Sequence, residues 1–226
     1  MAATVFISSC VIAVNESGAE WRGFGSHFSS ENTIEGSGKL AEEKRHMDSF
    51  NSVTLRGALD VRIEVGPENR VLVSGDSNLL AHVLTEVSQG NLAIGMKSGS
   101  YSFRKPLVVT IQTPNLNHVA LEGSGDIHIV GIADASFGVS LSGSGDIAAT
   151  GNTQSLSVTL SGSGDIELVN LHADVVRVVL AGSGDVRVHA KETISATLSG
   201  SGEIGYTGSP RVTKSTSGSG DIYKIN

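Results

Sequence analysis

A single cysteine, Cys10, stands among the 226 residues, which excludes a disulfide framework and any metal cage built on cysteines. Aromatic residues are only 4% of the chain and Trp21 is the sole tryptophan, so platforms for stacking bases or sugar rings are scarce. Basic residues are the minority: 16 Lys and Arg against 23 Asp and Glu leave a net charge of −7, with no basic stripe. A phosphate backbone finds no electrostatic footprint here, and nucleic acid is not an expected partner. No apolar run approaches the roughly 18 residues of a spanning helix, which excludes a polytopic membrane protein built on such helices. Proline is rare too, at 4 residues. Glycine, in contrast, reaches 28, while the apolar share of 39% fits neither collagen nor general disorder.

The glycines are arranged. From residue 121 the chain reads LEGSGDI, LSGSGDI, LSGSGDI, LAGSGDV, LSGSGEI and TSGSGDI, with acidic positions Asp126, Asp146, Asp165, Asp185, Glu203 and Asp221 spaced by 20, 19, 20, 18 and 18 residues. A period near 20 is the signature of a solenoid whose coils bury a shared core. Before each heptad runs an alternation of apolar residues, as in Leu156, Val158, Leu160 and Val176, Val178, Leu180; after it runs a second, as in Ile166, Leu168 and Val186, Val188. Period 2 means strand, so each repeat holds at least two short strands joined by a glycine corner and a variable polar turn. Coils of 18 to 20 residues have no room for a helix, and Leu-x-x-Leu-x-Leu spacing is absent, which disfavours a leucine-rich repeat. The reading is an all-β parallel β-helix. Val139, Val158, Val178 and Ala196 should stack in one buried column, and Leu141, Leu160, Leu180 and Leu198 in another. In the last repeat these columns continue as Lys214 and Thr216, the pattern of a capping coil, and the expected state is a monomer or weak dimer.

Residues 46–226 are expected to form this domain, with irregular coils over 46–120 and the repeats over 121–226. Strands are expected around Val53–Leu55, Val61–Val65, Val71–Val73, Leu92–Ile94 and Leu107–Ile111. Ser77 to Val87 reads as a helical turn with Ser77 as N-cap and Leu79, Leu80, Val83 and Leu84 on one face, and residues 95–105 as a Gly/Ser-rich loop. Residues 1–45 read as a separate, partly apolar and then polar segment. Its Ile7-Ser8-Ser9-Cys10 stretch fits the small-residue pattern before a lipid-modified cysteine, the remnant of an export signal that would provide an N-terminal membrane anchor. The alternative is a frayed terminus.

The opening FNSVTLRGALDVRIEVG from Phe50, then VSGDSNLL from Val73, then the serial SGSGDI motifs resemble the head GIN domain family of putative auto-transporter adhesins, over roughly residues 46–226. The resemblance implies a right-handed parallel β-helix in an exported bacterial envelope protein, often a lipoprotein, with no established enzymatic activity.

The residues themselves leave several chemistries open. If the repeats align, Asp126, Asp146, Asp165, Asp185, Glu203 and Asp221 form one acidic ladder, in which neighbouring charges repel by roughly 1 kcal/mol in water. Such carboxylates must therefore be exposed, hydrogen-bonded to turn backbone, or bridged by a cation. Calcium is one candidate, although Asp here follows its glycine one position earlier than in calcium-binding nonapeptide repeats. Acid–base catalysis on a polysaccharide is another and needs a partner; Arg177 and Arg187 lie near the ladder in sequence, but regular repetition speaks for architecture. Histidines 27, 46, 82, 118, 128, 172 and 189 show no metal-ligand spacing and read as scattered surface positions. The serines at 124, 144, 163, 183, 201 and 219 have no histidine in register and read as turn chemistry. The expectation is a non-catalytic surface or envelope interaction module outside the cytoplasm. It would need no cofactor, would bind a protein or glycan partner, and would have adhesion as its role; a polysaccharide-active or calcium-dependent glycan-binding β-helix is the alternative.

Overall fold

The computed structural model describes residues 33–225; the stretch over residues 7–10 and most of the polar segment after it lie outside them. Nine strands precede the repeats among the described residues: β1 (Ile34–Glu35), β2 (Leu40–Arg45), β3 (Ser52–Gly57), β4 (Asp60–Val65), β5 (Arg70–Asp76), β6 (Val83–Ser88), β7 (Asn91–Met96), β8 (Tyr101–Ser102) and β9 (Val108–Thr113). The repeats follow as β10 (His118–Gly123), β11 (Ile127–Ile132), β12 (Ser136–Gly143), β13 (Ile147–Gly162), β14 (Ile166–Gly182), β15 (Asp185–Gly200), β16 (Glu203–Gly208), β17 (Arg211–Gly218) and β18 (Asp221–Lys224).

Each coil has two main sides. On the first, β7, β3, β10, β12, the C-terminal halves of β13, β14 and β15, and finally β17 pair in parallel. On the second, the parallel order is β9, β4, β11, the N-terminal halves of β13, β14 and β15, then β16 and β18. Because the side-chain period is 2 and the pairing is in register, like residues land on like. Leu92, Val53, Val119, Val139, Val158, Val178 and Ala196 form one column, and Ile94, Leu55, Leu121, Leu141, Leu160, Leu180 and Leu198 the next. Every member is at most 2% exposed, so the columns expected from the repeat are the core of the first side.

The glycine corner follows from how closely consecutive coils approach. Gly162 has φ +154°, and a Cβ there would run into the Gly143 backbone; a Cβ on Gly164 would meet the Gly145 carbonyl oxygen. The serine between them is exposed, and its amide closes the corner by donating to the previous coil, as Ser163 N–H does to Gly143 O at 2.9 Å.

The N-terminal coils depart from the sequence reading. Only Leu80–His82 is helical, a single 3-10 turn opened by Leu79 N–H donating to the Asp76 carbonyl at 2.8 Å. Ser77 does not cap it; its Oγ lies 3.0 Å from Ser37 Oγ instead. From Val83 the chain is extended, antiparallel to β7 across a turn in which Gln89 and Gly90 both have positive φ, and Leu84 faces solvent at 47% exposure. The alternation Val83, Thr85, Val87 outweighs the helical spacing of the leucines because a hairpin partner lies next in the chain. Strand also reaches into residues read as part of the separate polar segment: β2 lies antiparallel to β5, and β1 pairs with β8 inside the 95–105 loop. The charged sequence of β2, LAEEKR, is that of an edge strand, which is why its periodicity is weak.

Polar anchors hold this end together. The Asp76 carboxylate, fully buried, accepts the amides of Gly38 (2.6 Å), Arg104 (2.8 Å) and Lys105 (2.9 Å). Burial alone would raise its pKa, but those amides and the Lys105 charge outweigh it and hold the carboxyl below its ordinary value. Arg45, on β2, crosses to the first side and donates to the carbonyls of Val83 (2.6 Å) and Leu80 (2.8 Å). At the far end Lys214 reaches from β17 to the carbonyl of Ile222 on β18 at 3.1 Å. Both ends of the described solenoid thus carry a long cation that ties the two sides together.

Candidate functional site

The acidic ladder lies at the corner leading into the second side. Four of its carboxylates are committed to the backbone of the next coil: Asp126 Oδ1 accepts the amide of Asp146 (3.1 Å), Asp146 that of Asp165 (3.0 Å), Asp165 that of Asp185 (2.9 Å) and Asp185 that of Glu203 (3.1 Å). Asp221 accepts the amide of Ile222 at 2.7 Å. Asp126 and Asp185 are half-buried and Asp146, Asp165, Glu203 and Asp221 exposed, so water screens the repulsion along the row. Arg187 clamps two coils, 3.3 Å from Asp185 and 3.5 Å from Glu167. Burial would lower its pKa, but the two carboxylates more than offset this and raise it. Arg177 is not beside the ladder; it stands exposed on the first side, in register with Ser157 and Ser195. Among the described residues no group of three or more His, Cys, Asp or Glu side chains gathers to hold a metal ion. The ladder is chemically a row of single carboxylates, of which Asp126, Asp146, Asp165 and Asp185 each stitch their coil to the next.

The opposite corner, built from the variable turns, is where the coils differ and where a cleft of about 500 Å³ opens, lined by Asp134, Gln154, His172, Asp174, His189 and Lys191 among others. The inward residues at this corner, Thr153, Ala173 and Ala190, are small and buried, and Thr153 Oγ1 donates to the Asp134 carbonyl at 2.8 Å. Outward, Asn152 pairs in register with His172, His172 with His189, and His189 with Thr207. The two imidazole rings lie 4.5 Å apart between centres with planes at 88°, and His189 Nδ1 is 2.9 Å from Thr207 Oγ1. Burial, reinforced by His172, pushes the His189 pKa below its ordinary value. Beside the rings Lys191 Nζ approaches Asp174 Oδ1 at 3.3 Å.

Two of the histidines that read as scattered in sequence are therefore neighbours in space. Their separation of 17 residues falls just short of one coil and was the available signal. His118 stands apart from them on β10, its pKa lowered by burial.

A family model described as "putative auto-transporter adhesin, head GIN domain" matches residues 49–210, from just before β3 to the turn that precedes β17. The chain belongs to the head GIN domain family. This head GIN domain is similar to a putative adhesin from Bacteroides fragilis NCTC 9343, at 26% identity over 85% of this chain and 100% of that one, with a TM-score of 0.71. It shares the fold of a putative adhesin from Parabacteroides merdae ATCC 43184, at 19% identity, 86% and 99% coverage and a TM-score of 0.51. It also shares that of a putative lipid binding protein from Parabacteroides distasonis ATCC 8503, at 24% identity, 86% and 100% coverage and a TM-score of 0.54. No curated protein matches the chain.

Proposed function

We propose that this head GIN domain is a non-catalytic interaction module of the bacterial cell surface or envelope, with adhesion to a protein or glycan partner as its role. Family membership supports a surface-interaction role. The observation that carries the non-catalytic part is the repetition of one hydrogen bond along the ladder: Asp126, Asp146, Asp165 and Asp185 each hold the next coil's amide, which uses them for architecture rather than for one reacting centre. The same reading puts the domain outside the cytoplasm, as a monomer or weak dimer without a cofactor. Beads coated with the purified protein should be retained on cell monolayers or on immobilised polysaccharide above albumin-coated beads, with no release of reducing ends. Equal retention of the two kinds of bead, or reducing ends released in proportion to protein, would refute it.

A second reading has one observation behind it: the cleft beside His172 and His189 has the size and the hydrogen-bonding lining of a short oligosaccharide site. If adhesion works through a glycan there, Gln154→Ala with Lys191→Ala abolishes retention on polysaccharide and leaves the melting temperature unchanged.

A further inference from the structure

We infer that His172 and His189 together form a binding site for a divalent transition-metal ion of the Zn²⁺, Ni²⁺ or Cu²⁺ class. The two residues are register partners on consecutive coils, so the sheet itself fixes their separation. Imidazoles that share one ion through nitrogens about 2.1 Å from it hold their ring centres about 4.6 Å apart at a right angle and about 5.3 Å apart at the tetrahedral angle. The observed 4.5 Å, with planes at 88°, lies at the short, right-angled end of that range. When His189 Nδ1 donates to Thr207 Oγ1, the tautomer is set and Nε2 becomes the ligating nitrogen, the usual arrangement of a metal-bound histidine held by an outer partner. Both rings border the cleft, which gives an ion a path in and lets water complete its coordination. Lys191, whose charge would oppose an ion, is drawn to Asp174. Imidazole donors select this class over calcium and magnesium, which prefer oxygen. The site is separate from the acidic ladder and independent of the adhesive reading.

Calorimetric titration of the full chain with ZnCl₂ and NiCl₂ at pH 7.4, in a buffer that does not bind metals, should give saturable one-to-one binding, with no comparable heat from CaCl₂ or MgCl₂. His172→Ala and His189→Ala should each lower the affinity tenfold or more. Both side chains face outward, so melting should be little changed; if His189→Ala destabilises the fold, His189→Gln removes the ligand while keeping a polar partner for Thr207. Substoichiometric Cu²⁺ should broaden the ring resonances of His172 and His189 before those of His46, His82, His118 and His128. Absence of saturable binding, unchanged affinity in either single variant, or broadening spread evenly over the histidines would overturn the site.

Discussion

Leu160 is fully buried, in register between Leu141 and Leu180, and offers the sharpest test of the stacked core. Leu160→Ala removes three carbons, and at about 0.8 kcal/mol for each the lost transfer energy is about 2.4 kcal/mol. The coils above and below are held at a set spacing by backbone pairing, so the hole cannot collapse, and the cavity brings the loss to about 3 to 4 kcal/mol. Thr159, the next residue, points outward and is exposed; Thr159→Ala should cost under about 0.5 kcal/mol. For a domain of this size the difference is a fall in melting temperature of about 10 °C. Leu160→Asp sets an unpaired carboxylate among leucines and should leave the protein unfolded or aggregated. Urea titration and thermal melting followed by circular dichroism would measure all three variants beside the parent. If Leu160→Ala loses no more than Thr159→Ala, or if Leu160→Asp melts cooperatively at the parental temperature, the side chain is not in a packed column and the register is wrong.

The lowered pKa of Asp76 makes its contribution complete above the ordinary carboxyl value of 3.8 and lost as pH falls below it through the folded value; Asp76→Asn should be less stable than the parent at pH 7, and their melting temperatures should converge in strong acid. Millimolar calcium should raise the melting temperature no more than equal magnesium, since the five ladder aspartates each already serve an amide; a saturable heat of calcium binding would contradict this. Asp146→Ala should cost about 1 kcal/mol or less by freeing the Asp165 amide, and Asp146→Asn, which retains an acceptor, about half of that or less, measured by urea midpoint. Lys214→Val with Thr216→Leu should extend the apolar columns to the last strand and promote end-to-end association; light scattering that shows the double variant as monodisperse as the parent would refute the capping role.

The repeat coils were legible because three constraints coincide in one heptad: a glycine at positive φ, a second glycine against the neighbouring backbone, and an aspartate that reaches the next coil. Gly162, Gly164 and Asp165 show all three, and the two glycines return in every GSG corner. The N-terminal part was less legible because its elements take their structure from distant partners. Leu79, Leu80, Val83 and Leu84 have helical spacing, yet β6 exists through its pairing with β7, and β2 through β5 some thirty residues on. The cleft was hidden for a related reason. Metal-ligand spacing in a sequence joins residues a few positions apart, whereas His172 and His189 are neighbours only once residues a coil apart are placed side by side.

Strands β3 and β4 are synthesised before either of their neighbours exists. The pair β7 and β9 is made next and packs below them, and β10 and β11 follow and pack above. The first coil is thus the middle of a three-layer sandwich, and no templated surface is complete until Thr113 has been made. From there each further coil docks onto a finished rung and adds chiefly a nearest-neighbour interface, the growth law of a one-dimensional array. Nucleation is therefore expected in residues 40–113 and propagation through the SGSGD coils. A chain cut after Gly162 should still fold as a shorter solenoid, whereas a nick between β4 and β9 removes the seed on which all the later coils depend.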